Sequence, residues 1–457
     1  MALSRRPGAS LARPGAAGRD GFGLARQGRD ALYYALKKGW LDPGDRPGPR
    51  PAAPGPATLH VRGSFTLKEI RPLTSLRAFA AFLVFMFHYA YVYRPENLGV
   101  PFDGEWIPLM PLWRQGQVGV SIFFVLSGFL ITRIYFDAIR EGRVSWRQFF
   151  VKRVARIWPL YLVFAFAQHG VPILRGMLDP SSELLVTLTM TQGFFFDLRY
   201  EGLPTAWTLT VEESFYLLTP LVVFVLARLA PGPSRPGARL DAAGLARYVM
   251  AVGVLVIGLV AVGEALVRVV TSQGWNWHGF MDSRFHMHHA TVFGRFPEFA
   301  LGILAAMIHR GVDLDRLLRG GRATATVLVS AIVVTLCIWG KDRATLDGGD
   351  PPTWLTLLLA YGVAGFTATL ILGLSTGGGR LHRALGHPLL VYLGRVSYGF
   401  YLIQLTVILE PAVQLSYELG PWRVPALVVM ANVLSAGFYQ LVEVPARRAI
   451  VRRWAGG

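Results

Sequence analysis

Apolar stretches recur along this chain at lengths that suit a bilayer rather than a globular core. They cover residues 73–93, 118–137, 158–178, 207–228, 248–270, 295–309, 323–340, 354–374, 389–413 and 424–444. A helix needs about 20 residues to cross the hydrocarbon of a membrane, so the pattern predicts ten spans. The sixth stretch is short and fits a tilted or partly re-entrant helix. A further apolar segment, 184–196, reads as re-entrant or interfacial. Counting it as a crossing would give eleven spans and reverse every later loop. The expected fold is all-α: a polytopic integral membrane protein with about 10 (10–11) transmembrane helices.

Charge fixes the expected orientation. With the N-terminus inside, the inner loops 131–157, 228–247, 309–322 and 375–388 and the C-terminal end hold 21 Lys and Arg. The outer loops 94–115, 179–206, 271–294, 340–353 and 414–423 hold 7. That asymmetry follows the positive-inside rule and is expected to place both termini in the cytoplasm. Residues 1–66 are rich in Gly, Pro, Arg and Ala and lack an apolar period. They are expected to be a disordered cytoplasmic tail, with 67–457 forming the transmembrane domain. Within the tail, Ala31–Leu41 fits a short amphipathic turn on the membrane surface. The first long apolar run lies too far into the chain for a cleaved secretory signal and reads as a signal anchor.

Composition narrows the function classes. The chain is 53% apolar and 16% charged, with a mean hydropathy of +0.40. A net charge of +18 on a soluble domain would raise nucleic acid as a partner. Here the basic residues sit between apolar runs and in the tail, so the bilayer is the expected partner and nucleic acid is not. The single cysteine, Cys337, excludes an intramolecular disulfide and a Cys-based zinc site.

Ionisable residues inside spans mark candidate chemistry, because each costs free energy unless it faces protein or water. Arg77 and His88 share the first span. Eleven residues of α-helix are about three turns and about 16 Å of rise, so both face the same way. In the loop before the third span, Lys152, Arg153 and Arg156 cluster. Forked guanidiniums suit phosphates, although plain positive-inside anchoring explains them too. The fourth span opens with Glu212 and Glu213, which the topology puts at a depth similar to His88. A histidine base and an orienting carboxylate need that proximity. Adjacent glutamates point about 100° apart, so one of the two is expected to reach the site. Ser127 is a weak nucleophile candidate, and the glycines around it suit close helix packing. Arg295 and Glu298 read as a structural ion pair. His286, His288 and His289 lack supporting ligand spacing, and no metal site is expected. Glu443 and Pro445 read as packing and helix termination at the inner boundary.

These pieces occur in an order that resembles the membrane-bound acyltransferase-3 family. The resemblance rests on Leu76 to His88, Gly119 to Leu130, Arg153 and Arg156 followed by Pro159 and Tyr161, Trp207 to Tyr216, Pro297 to Gly302, and Ser397 to Tyr401. It covers residues 70 to about 450. It implies that Arg77 and His88 are essential, and that Arg153 and Arg156 lie near the donor. The implied donor is acyl-CoA, most often acetyl-CoA. The implied acceptor is a hydroxyl on a carbohydrate, lipid-linked glycan or related molecule. Many members carry His where Gln404 stands here, so proton transfer is not expected at that position. Some members carry a fused esterase-like domain, whereas this chain stops at Gly457. Transfer is therefore expected to finish within the membrane domain, or the acyl group passes to a separate periplasmic partner.

The reading is a membrane O-acyltransferase in which His88 is the base, Glu212 or Glu213 its orienting partner, Arg77 a further site residue, and Lys152, Arg153 and Arg156 the donor-phosphate residues. The alternatives are a secondary transporter or exporter of a lipid-linked sugar, with the same residues as a proton relay, and a membrane scaffold in which they are structural.

Overall fold

A computed structural model describes residues 69–92, 110–170, 173, 182–229, 241–319, 321–346, 353–376 and 378–455. The expected tail, with its 31–41 stretch, lies outside the described residues. In lipid every backbone N–H and C=O must be satisfied within the span, and the described chain meets this with helices. Its strand-like pairing is a single isolated bridge, Phe195 to Phe280, among the described residues.

In chain order the α-helices of five or more residues are α1 (Arg71–Met86), α2 (Met110–Arg114), α3 (Val118–Arg140), α4 (Trp146–Ala165), α5 (Ser182–Leu188), α6 (Trp207–Leu229), α7 (Ala242–Ser272) and α8 (Arg284–Ala290). There follow α9 (Val292–Gly311), α10 (Arg322–Leu346), α11 (Thr353–Ser375), α12 (Arg380–Leu385), α13 (Pro388–Leu402), α14 (Glu410–Ser416), α15 (Arg423–Phe438) and α16 (Val444–Trp454). Local sequence sets several starts. Ser145 and Gln148 form a capping box on α4, with the two bonds at 3.2 and 3.1 Å. Asp241 caps α7 by accepting from the Gly244 N–H at 2.7 Å.

Eight of the described helical stretches are long and apolar enough to cross a membrane, and they match eight of the ten predicted spans. The other two exist as helices but differ in character. α4 carries Arg147, Lys152, Arg153 and Arg156 between its start and its midpoint turn. α13 stops after 15 residues, which is roughly 22 Å of rise against a hydrocarbon core of about 30 Å. The chain then turns through Leu405, whose φ is +60°. The predicted continuous span 389–413 is therefore broken. The sixth span is fuller than its apolar run suggested, because α9 runs for 20 residues with Pro297 inside it. α5 has only 7 residues, about 10 Å, so the 184–196 segment does not cross.

α3 packs against α1, α9 and α11. Its contact with α9 is reciprocal. A Cβ on Gly128 would run into the Phe299 carbonyl, and one on Gly302 would run into the Val125 carbonyl. Small residues let helix backbones touch where no water drives helices together. Two ion pairs fasten opposite ends of this layer. Arg310 of α9 meets Asp137 of α3 at 2.7 Å. Arg114 of α2 holds buried Asp342 of α10 with two bonds, at 2.8 and 2.6 Å.

The glycine contacts give a test. Gly128→Val should lower the melting temperature of the detergent-solubilised protein, since overpacking costs typically about 1–3 kcal/mol. Gly258→Val, where a Cβ meets nothing within 4 Å, should leave it unchanged. Equal melting shifts for both would remove the packing argument.

Candidate active site

The site is built along the pair α1 and α13. Gly394 of α13 lies against the Thr74 backbone, Phe400 stacks on Phe85 at 5.1 Å, and the Leu405 N–H donates to the Tyr89 hydroxyl at 3.1 Å. The two helices thus run in the same direction. Arg77 and His88 mark two levels on α1, about 16 Å apart.

At the upper level, His88 Nδ1 lies 2.8 Å from Gln404 Oε1. Gln404 is fully buried, and its Nε2 donates to the Phe400 carbonyl at 3.1 Å. That second bond decides the first. With the amide nitrogen committed, Oε1 can only accept, so His88 carries its proton on Nδ1. Its Nε2 is left with a lone pair. Both residues sit where regular helix fails. His88 lies in a π-helical turn, Phe87–Val92, and Gln404 lies just past the end of α13. Such irregularities often occur at functional sites.

The expected glutamate partner is therefore replaced by Gln404. Glu212 lies at the lower level instead. It lines a cavity of about 40 Å³ with Arg77, Phe124, Thr208, Ser397 and Tyr401, roughly enough room for three waters. Its Oε1 accepts from Ser127 Oγ at 2.9 Å and from the Tyr216 hydroxyl. The depth argument failed because α6 begins deep in the bundle: Thr208, one residue into it, already reaches the Tyr401 hydroxyl at 2.8 Å. Glu213 faces Trp158 and Arg153, so one glutamate of the pair reaches the cavity, as the helical geometry required.

The basic residues divide among different tasks. Arg153 donates to the Tyr135 hydroxyl at 3.0 Å and lies over the rings of Tyr135 and Tyr216 at 5.2 and 5.6 Å. It is committed to aromatic partners. Arg156 approaches Glu443 at 3.8 Å, and both are in electrostatic reach of Arg77. Lys152 is half-buried on the preceding turn. Glu443, expected to serve packing and termination, is fully buried among arginines, in a second π-helical turn, Tyr439–Glu443. Its spacing of four residues from Arg447 was visible in the sequence. Its convergence with Arg77 and Arg156, which lie far away in the chain, was not.

Other candidates fall outside this groove. Arg295 pairs with Glu298 at 3.1 Å, and Glu298 also accepts from Ser121 at 2.8 Å, the structural arrangement anticipated. The three histidines near α8 diverge. His288 faces Glu264 at 3.3 Å. His289 stacks between Trp207 and Phe285, and His286 packs edge-on to Phe196. No group of three or more ligating side chains capable of holding a metal occurs among the described residues.

Comparison with known proteins gives a consistent result. The family described as "Acyltransferase domain" matches residues 72–440. The acyltransferase MdmB of Streptomyces mycarofaciens is 27% identical over 404 residues, covering 83% of this chain and 92% of that protein. Nodulation protein 10 of Rhizobium leguminosarum bv. viciae is 25% identical over 415 residues, covering 86% and 96%. The putative peptidoglycan O-acetyltransferase YrhL of Bacillus subtilis (strain 168) is 26% identical over 405 residues, covering 83% of this chain but 55% of that protein. No solved structure matches.

Ser127 spends its hydroxyl hydrogen on Glu212, with no imidazole beside it. Ser127→Ala should therefore slow acyl transfer by less than about tenfold, the worth of one hydrogen bond. A fall to background in a transfer assay would instead mark a serine nucleophile.

Proposed function

The chain belongs to the membrane acyltransferase-3 family and is an acyltransferase, and on that premise we propose that it moves an acetyl or related acyl group from cytoplasmic acyl-CoA to a carbohydrate hydroxyl. The observation that carries this reading is His88, held by Gln404 in the tautomer whose free Nε2 can take a proton. The acceptor hydroxyl gives its proton to Nε2 as its oxygen attacks the thioester carbonyl. The carbon–sulfur bond then breaks, and the departing thiolate recovers the proton from the imidazolium. General-base catalysis contributes about 10²- to 10⁴-fold, and holding both reactants in place supplies much of the remainder.

Gln404 takes the orienting role that a carboxylate fills elsewhere. Arg77 and Arg156 face the donor from the basic end, with Lys152 beside them, and Glu212 steadies Arg77 as its counter-ion. Arg153 braces this region through Tyr135 and Tyr216. The basic inner loops support a bacterial inner-membrane location with both termini cytoplasmic. The relatives support the acceptor class: one is named as a peptidoglycan O-acetyltransferase.

Purified protein supplied with labelled acetyl-CoA and an acceptor glycan tests the assignment. His88→Ala should lose at least about 100-fold in transfer while still inserting and accumulating. Wild-type-like transfer by that variant would refute the base. Gln404→Leu frees the ring to change tautomer and should lower turnover about 10- to 100-fold, with the KM for acetyl-CoA unchanged. Unaltered turnover would show that the amide does not orient His88.

A further inference from the structure

A poorly satisfied polar cluster lies at the junction of α1, α4 and α16. Glu443 has no exposed surface, yet its nearest cations, Arg156 at 3.8 Å and Arg447 at 4.0 Å, stand beyond hydrogen-bond distance. Both its carboxylate oxygens are buried without a hydrogen-bond partner, and so are Nε of Arg447 and Nε of Arg77. The Tyr439 hydroxyl reaches the Arg447 guanidinium but leaves its Nε unsatisfied.

Each buried polar atom left without a bond costs about 1–3 kcal/mol, and a native structure rarely gathers several in one place. The charges do not balance either. Arg77, Arg156 and Arg447 face the carboxylates of Glu443 and Glu212, leaving one positive charge in excess. A cluster of guanidinium forks around a buried carboxylate, with spare donors and surplus positive charge, is complementary to a phosphate.

We propose that Arg447, acting with Arg156 and Arg77, binds a phosphate group of the acyl donor. Glu443 is the resident anion that holds the guanidiniums apart and aimed until the phosphate arrives. The inference rests on the acyl-CoA reading and adds two residues to it. Arg448, the next residue, is exposed and lies outside this buried cluster. It therefore serves as a control of equal charge.

The test compares kcat/KM for acetyl-CoA with that for acetyl-pantetheine, which lacks the phosphates, using full-length protein in phosphatidylcholine nanodiscs. The wild type should prefer acetyl-CoA. Arg447→Ala should reduce that preference by at least about tenfold, as expected for lost charged hydrogen bonds, and Arg448→Ala should preserve it. Glu443→Gln should lower the KM for acetyl-CoA, because the phosphate no longer displaces a carboxylate. If Arg447→Ala does not accumulate, Arg447→Lys keeps the charge, loses the fork and carries the same comparison. A wild type without preference would overturn the donor reading and this inference with it. A preference that survives in the Arg447 variant would overturn this inference alone. If that variant instead loses activation by added phosphatidylglycerol, the arginine cluster serves a lipid phosphate and the donor assignment falls.

Discussion

A charge held inside a bilayer must be answered by another group, and the bundle is arranged around that constraint. Asp342 is closed by two bonds from Arg114, and Glu298 by Arg295 and Ser121. The first pair is complete in its hydrogen bonds; in the second, Arg295 Nε and Glu298 Oε2 stand at ion-pair distance without a formed hydrogen bond. Along α1 the answer is graded. His88 has one neutral partner, Glu212 has a serine and a tyrosine, and the arginines near Glu443 remain partly unanswered. Complete pairs fasten helices together, and incomplete ones leave bonding capacity for something that comes and goes. The family assignment agrees with this division and displaces the exporter alternative, because an acyltransferase needs places for a donor and a base rather than a relay of exchanging protons.

Much of the fold was legible because lipid imposes a simple length rule. Eight of ten apolar runs became long apolar helices. Arg77 and His88 were placed on one face by helical arithmetic alone, and the cavity and Gln404 lie along that face. The errors share a cause. Hydropathy measures how apolar a run is but not where a helix starts in depth or whether it stays regular. α13 ends at Leu402 and the chain turns through left-handed Leu405, and nothing in its apolar sequence marks that stop. α6 starts deep, so Glu212 shares a cavity with Arg77 rather than with His88.

Partners distant in the chain were the least legible. Gln404 is 316 residues from His88, and its role depends on which way its amide faces. That orientation is fixed by the carbonyl of Phe400, one turn earlier on the same helix. Glu443 looked like a terminator because Pro445 follows it, and proline does begin α16 there. The same residue also sits in a π-helical turn, which rotates it inward to meet Arg156. Local sequence accounted for the helix boundary, and only the packing of α16 on α4 exposed the second role.

On the acyl-CoA reading proposed above, the two levels along α1 impose a condition on the donor. Arg77 and His88 are about 16 Å apart along α1. A pantetheine arm has about twelve backbone bonds, which at peptide spacing extend roughly 14 Å. A thioester on such an arm, anchored by phosphate among the arginines, therefore ends close to His88 only if the arm is nearly straight. An arm held straight between helices would have few conformations to lose on reaction, so the fit itself would contribute to rate. The choice of Gln404 follows from the same economy of charge. A carboxylate there would add a buried anion in a resting site with no cation to answer it. The amide fixes the tautomer without that cost, and the imidazolium need last only until the departing thiolate takes its proton.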